Sequence, residues 1–310
     1  MTIDSDTSIS DTYSEHTLLV LTGPTGVGKT NISLRLASHL NAPIISSDSR
    51  QIYREMVIGT ATPPPEELKQ ATHYFIGTRS VTEEYSAGQF EADAMALLEV
   101  LFASYKMVLL VGGSMMYIDA LCNGMDNIPV VESDIREYWQ QQYAEHGLAV
   151  IQRALLKADP LHYHQVDLMN HKRIIHALEI CSSTGKPYSS FRTGIKKSRP
   201  FRIVKIGLNR PRNELYEHIN KRVEQMISDG LVGEARMLYQ YRHLNALNTV
   251  GYKELFACFD GAYDIDRAVE LIKQNSRHYA KRQLTWFNRD PEIQWFHPDQ
   301  YDDIVIAIQQ

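Results

Sequence analysis

Eight consecutive residues, Gly23-Pro24-Thr25-Gly26-Val27-Gly28-Lys29-Thr30, carry the clearest chemistry in this chain. They match G-x-x-x-x-G-K-S/T, the pattern of a loop that wraps a phosphate chain. Glycines let the backbone approach the anion, and successive amides at a helix N-terminus attract it. Lys29 adds a point charge, and the Thr30 hydroxyl is placed to take Mg²⁺. The pattern predicts a di- or triphosphate site. Enzymes that hydrolyse a nucleotide in such a loop bring an acid to Mg²⁺ at the end of an apolar strand. Here the apolar run Val108-Leu109-Leu110-Val111 ends in Gly112-Gly113-Ser114, without a carboxylate. The run Ile44-Ile45-Ser46-Ser47 does deliver one, Asp48, followed by Ser49-Arg50-Gln51. Ligands collect at the carboxyl ends of parallel strands, so Asp48 and Ser114 are both candidates to face the phosphates. The competing role for Asp48 is to cap the turn that follows it.

A phosphate loop needs a strand before it and a helix after it. Leu18 to Leu21 reads as that strand, and 29–40 as that helix. Further strands are expected at 43–45 and 107–111. Wholly apolar strands between helices predict a parallel sheet covered on both faces, an α/β fold with a P-loop core flanked by helices. Residues 1–16 show no apolar period and read as a flexible acidic tail. The first part of the core then runs over 17–126. At 127 the composition turns to Tyr, His and Gln with no good strand, which predicts an inserted all-helical subdomain over 127–195. Within it Ser133 and Asn170 are expected N-caps and Gly185 a helix stop. Residues 196–310 should complete the core, with a strand at 202–208 and helices over 212–242 and 266–287. Leu215, Ile219, Val223 and Met226 give the first of these helices its buried face.

The chain has 310 residues, 44% of them hydrophobic and 22% charged, which excludes a disordered or fibrous protein. Three scattered cysteines, Cys122, Cys181 and Cys258, exclude a disulfide framework and a thiolate zinc site, and suit a reducing, cytoplasmic setting. No apolar run near the N-terminus spans a bilayer, and the first sixteen residues carry four acids and no Lys or Arg, unlike a targeting peptide. The net charge of −5 would count against nucleic acid if it were evenly spread. It is not. Residues 196–253 hold twelve Lys or Arg against five acids, and 273–289 hold five basic residues and no acid. Lys273, Arg277 and Lys281 fall four apart, on one face of a helix. Tyr279, Trp286 and Phe287 are interleaved with them, so bases could stack while cations hold phosphates. The alternative is a plain solvated helix face.

Longer motifs stand in order along the chain: GPTGVGKT at 23–30, SDSRQIY at 47–53, IGTATP at 58–63, YSAGQF at 85–90 and VGGSMMY at 111–117. STGKPYSSF at 183–191, TVGYKEL at 249–255 and AKRQLTWF at 280–287 continue the series. Together they resemble the tRNA dimethylallyltransferases, P-loop prenyltransferases that modify the adenosine 3′ to the anticodon, over about 17–289. The resemblance implies that dimethylallyl diphosphate is the donor, which accounts for the missing strand-end acid. It implies diphosphate binding by Gly23, Pro24, Thr25, Gly26, Val27, Gly28, Lys29, Thr30 and Arg222, with Mg²⁺ on Thr30. Asp48 matches the family's base, and Ser114 stands where the family usually has Thr. A flipped adenosine in the anticodon stem-loop of tRNA would be met by Asp48, Ser49, Arg50 and Gln51, by Arg136 and Arg173 of the insertion, by Thr249, Val250, Gly251 and Tyr252, and by Lys281 and Arg282.

Three positions depart from the family pattern. Thr62 stands where many members have Lys, and His176 and Lys253 where many have Arg, which removes fixed guanidiniums from the RNA grip. The zinc finger of eukaryotic members is absent, and the spacing of His162, His164, His171 and His176 fits no zinc pattern. One chain is expected to act as a monomer, without a membrane. Transfer to a free adenine nucleotide, phosphoryl transfer from ATP and plain RNA binding are the competing functions.

Overall fold

The strands of the computed structural model, which describes residues 16–129 and 131–309, are β1 (Thr17–Thr22), β2 (Ile44–Ser46), β3 (His73–Tyr74), β4 (Met107–Val111), β5 (Arg202–Leu208) and β6 (Ile293–Phe296). They form one sheet in the order β3-β2-β4-β1-β5-β6, with every neighbouring pair parallel. The expected acidic tail lies outside the described residues, apart from His16. The helices are α1 (Lys29–Leu40), α2 (Pro65–Leu68), α3 (Ala87–Phe102), α4 (Met115–Asn123), α5 (Ser133–His146), α6 (Leu148–Ala158), α7 (Pro160–Tyr163) and α8 (His171–Thr184). They continue with α9 (Arg212–Ser228), α10 (Leu231–Leu238), α11 (Tyr252–Phe259), α12 (Ile265–Phe287) and α13 (Tyr301–Gln309).

Strand β1 sits between β4 and β5 and is buried along its whole length. Alternate residues reach opposite layers. Leu19 and Leu21 join Ile32 and Leu36 of α1, Leu215 and Ile219 of α9 and Ile304 of α13. Leu18 and Val20 join Phe90, Ala94 and Leu98 of α3, Leu121 of α4 and Phe287 of α12. Each such side chain contributes about 1.5–3 kcal/mol when fully buried, so the strand that launches the phosphate loop is the best-anchored one.

The helix expected over 212–242 breaks. Gly230 adopts φ +103°, separating α9 from α10, and a 3₁₀ turn over Tyr239–Tyr241 follows. Helices α2, α3, α4, α11 and α13 and the strands β3 and β6 lie outside the sequence expectations. Helix α3 opens on a capping box: Ser86 Oγ accepts from the Gln89 amide and Gln89 Oε1 from the Ser86 amide.

Residues 1–123 and 198–310 form one compact unit and 124–197 a second, against the composition limits of 127 and 195. The second unit is helical, α5 to α8, around Ile151, Leu155, Ile174, Ala177 and Leu178. Asn170 caps α8 through the Arg173 amide and Gly185 ends it at φ +67°. Ser133 is the first helical residue of α5, and the cap position falls to Glu132. The two ends of this unit meet: a Cβ on Gly124 would lie 2.5 Å from Lys197 Cδ.

Candidate active site

The phosphate loop leaves β1, the turn holding Asp48 leaves β2, and Gly112–Ser114 leaves β4, three strands adjacent in the sheet. Parallel direction brings all three to one edge. Gly28 caps α1 at φ +104°, a conformation that only glycine adopts without strain. At the start of this helix, whose first-turn amides lack intrahelical partners, lies a cavity of about 720 Å³ lined by Thr25, Gly26, Gly28, Lys29, Thr30 and Asp48 and by Arg222 of α9. Lys29 Nζ donates to the Gly23 and Pro24 carbonyls, each at 2.9 Å. Burial, helped by the nearby Arg222 charge and opposed by Asp48, brings its pKa down to about 7. Arg222 donates to Thr25 Oγ1 at 3.3 Å and to the Thr60 carbonyl at 3.4 Å.

A second cavity of about 300 Å³ is lined by Ser49, Arg50, Thr249, Val250, Gly251, Lys253 and Arg282. Both cavities share Thr25, Asp48, Arg222, Met226 and Tyr279. Asp48 therefore stands where they meet. One of its oxygens also accepts from the Arg50 and Gln51 amides at 2.8 and 3.3 Å, so it caps the turn as well as lining the site. Burial, reinforced by Asp48, pushes the Tyr279 phenol up to about 12, which keeps it a donor at working pH.

Residues 51–290 match the family model described as IPP transferase. The chain belongs to the IPP transferase family. It is 57% identical over 295 residues to "tRNA dimethylallyltransferase 2" of Parabacteroides distasonis, covering 95% of this chain and 99% of the relative. It is 56% identical over 293 residues to "tRNA dimethylallyltransferase 1" of Bacteroides fragilis, covering 94% and 97%. The tRNA isopentenylpyrophosphate transferase of Bacillus halodurans superposes with a TM-score of 0.69 at 32% identity, covering 95% and 97%. A eukaryotic dimethylallyltransferase described as acting on tRNA gives 0.81 at 26%, covering 95% and 78%.

In this IPP transferase several residues expected at the RNA or the reacting atoms have other contacts. Tyr252 is fully buried and donates its hydroxyl to Glu234 at 2.6 Å, so its ring is a core aromatic and is not offered to RNA. The Gln51 amide braces the cavity wall, donating to the Thr60 and Ala61 carbonyls at 3.2 Å each. Ser114 Oγ accepts from the Ser49 amide at 2.9 Å and donates to Ser49 Oγ at 2.8 Å, which leaves Ser49 as the hydroxyl that lines a cavity. The basic face of α12 is partly a packing seam: Lys273 pairs with Glu224 and Glu270 at 2.9 and 3.0 Å, and Arg277 donates to Asn220 at 2.7 Å. Lys281 and Arg282 are exposed.

Within the insertion unit, Arg136 lies 3.6 Å from the buried Glu179 carboxylate and His176 lies 3.7 Å from it. Arg173 is exposed. Thr62 lines the larger cavity and Lys253 the smaller. Two residues were missed as site builders. Glu234, on α10, accepts from the Val57, Ile58 and Gly59 amides at 2.8–3.0 Å and so holds a wall of the larger cavity. Gln283, within AKRQLTWF, is bonded to the phosphate loop itself. Gln283 stands within the motif AKRQLTWF, whereas none of the sequence motifs contains Glu234.

Proposed function

We propose that this IPP transferase moves the dimethylallyl group of dimethylallyl diphosphate onto N6 of the adenosine 3′ to a tRNA anticodon, releasing diphosphate. The observation that carries the reading is the meeting of two cavities at Asp48: one built from a phosphate loop, the other from uncharged backbone, hydroxyls and cations. The bond from the allylic carbon to the diphosphate oxygen breaks, and its electron pair leaves with the diphosphate. The N6–carbon bond forms, and the N6 proton passes to the Asp48 carboxylate. Gly26, Gly28 and Thr30 of the loop, with Lys29 and Arg222, stabilise the charge that grows on the leaving oxygens. Tyr279 and Met226 border the place where the allyl group passes between cavities.

The residues present suit Mg²⁺ shared with the substrate: Thr30 would hold it through its hydroxyl, with diphosphate oxygens as the anionic donors this hard cation favours. Among the described residues no group of three His, Cys, Asp or Glu could hold a metal unaided. When bound, Mg²⁺ neutralises leaving-group charge. The RNA is assigned to Ser49, Arg50, Thr249, Val250, Gly251 and Arg282 beside the acceptor cavity and to the exposed Lys281; in the helical unit, taken by itself, Arg136 and Arg173 are the cations proposed for RNA. Among the described residues no helix is long and apolar enough to cross a membrane, and the three thiols are free. We place the reaction in the cytoplasm.

Incubating unmodified tRNA with the protein, dimethylallyl diphosphate and Mg²⁺, then weighing the digested nucleosides, tests the proposal. Adenosine heavier by one dimethylallyl group is expected. Preferred turnover of AMP, or label transfer from the γ-phosphate of ATP, would refute it.

A further inference from the structure

Gln283 is 2% exposed, yet both halves of its amide are employed. Oε1 accepts from the Thr25 amide at 2.9 Å, and Nε2 donates to the Gly113 carbonyl at 2.8 Å. Thr25 belongs to the loop after β1 and Gly113 to the loop after β4. One side chain from α12 therefore ties together the two loops that bound the larger cavity, and lines that cavity itself. Gly113 leaves room for nothing else: a Cβ there would come within 2.3 Å of Nε2. Thr25 is held a second time, through its hydroxyl, by Arg222. A buried amide satisfied at both ends resists displacement, because breaking either bond strands a desolvated polar group.

We infer that Gln283 is a positioning residue for the diphosphate. It pins the phosphate loop at Thr25 against the end of β4 and fixes the shape that receives the anion. It also withholds the Thr25 amide, so the anion meets the loop from Gly26 onward. Preset donors bind an anion better than donors that must reorganise on its arrival. The inference rests on reading the P-loop as the diphosphate site.

Gln283→Met keeps the volume and removes both hydrogen bonds. In the full chain, the KM for dimethylallyl diphosphate and the inhibition constant of inorganic diphosphate should each rise about tenfold, with the KM for tRNA within about twofold. Gly113→Ala provides a second route, since its Cβ displaces Nε2. Alone it should raise the same two constants, and on a Gln283→Ala background it should add much less, because only the 3.3 Å approach to the Gly23 carbonyl is left. This cycle also carries the test if Gln283→Met does not fold by thermal melting. Unchanged diphosphate constants, fully additive effects in the cycle, or an equal rise in the KM for tRNA overturn the inference. Calorimetry separates the premise: wild-type protein that binds no inorganic diphosphate overturns the reading of the P-loop itself.

Discussion

Asp48 has one oxygen committed to the Arg50 and Gln51 amides and still borders both cavities. Asp48→Asn keeps an oxygen for the turn and removes the proton acceptor. Transfer should fall by about 10²–10⁴ with tRNA affinity retained, as measured by single-turnover kinetics and filter binding. Ser49 and Ser114 divide their tasks differently from what motif position implied. Ser114→Ala should disturb Ser49 while Ser49→Ala removes the cavity-facing hydroxyl directly. Initial rates should therefore fall more for Ser49→Ala, on the order of tenfold against severalfold. Lys29 gives a pH signature. Its pKa is lowered to about 7, so above pH 7 the free protein holds it mostly neutral, and a bound diphosphate favours the charged form. Diphosphate binding at pH 8 should take up a proton and weaken as pH rises. Calorimetry in buffers of different ionisation heat reads this, and Lys29→Arg should abolish the uptake. The lysine and the glycines around it were legible from the sequence because their bonds are local. Gln283 was not, because its partner Thr25 lies 258 residues away.

Elements were read with uneven success, for physical reasons. The apolar strand β1 and helix α1 announce themselves through burial pattern and the glycine between them. The two-residue strand β3 carries too few side chains to show a period. YSAGQF and TVGYKEL look like site motifs, yet they largely build helix starts: Ser86 with Gln89 boxes α3, and Glu254 accepts from the Gly251 amide at 2.8 Å to open α11. The loop over 57–64 has little regular structure and depends on Glu234, whose carboxylate gathers three amides and the Tyr252 hydroxyl. Glu234→Gln would turn one acceptor into a donor facing N–H groups. It should cost about 2–4 kcal/mol in urea unfolding and raise the KM for dimethylallyl diphosphate, since buried donors lose their partner.

At the scale of the molecule, the charge of −5 conceals a division of labour. The C-terminal half supplies cations to the smaller cavity through Lys253 and Arg282, while other cations in that half, Lys205 and Lys273 among them, are consumed by structural pairs. Sequence counting registers both kinds alike, because pairing is a tertiary property. The helical unit over 124–197 has its own core and adjoining ends, which argues that it can be exchanged for a short linker. Such a protein should still bind inorganic diphosphate in calorimetry and lose most of its affinity for tRNA in filter binding. The tie between Thr25 and Gln283 has a further consequence, in time. The phosphate loop is written near the start of the chain, and the residue that pins it comes near the end. Translation therefore yields the anion-binding motif long before an anion-binding site. Loop closure over such a separation is slow relative to local helix formation. Until α12 has been made and docked, the Thr25 amide and the Gly113 carbonyl lack the partner that joins them.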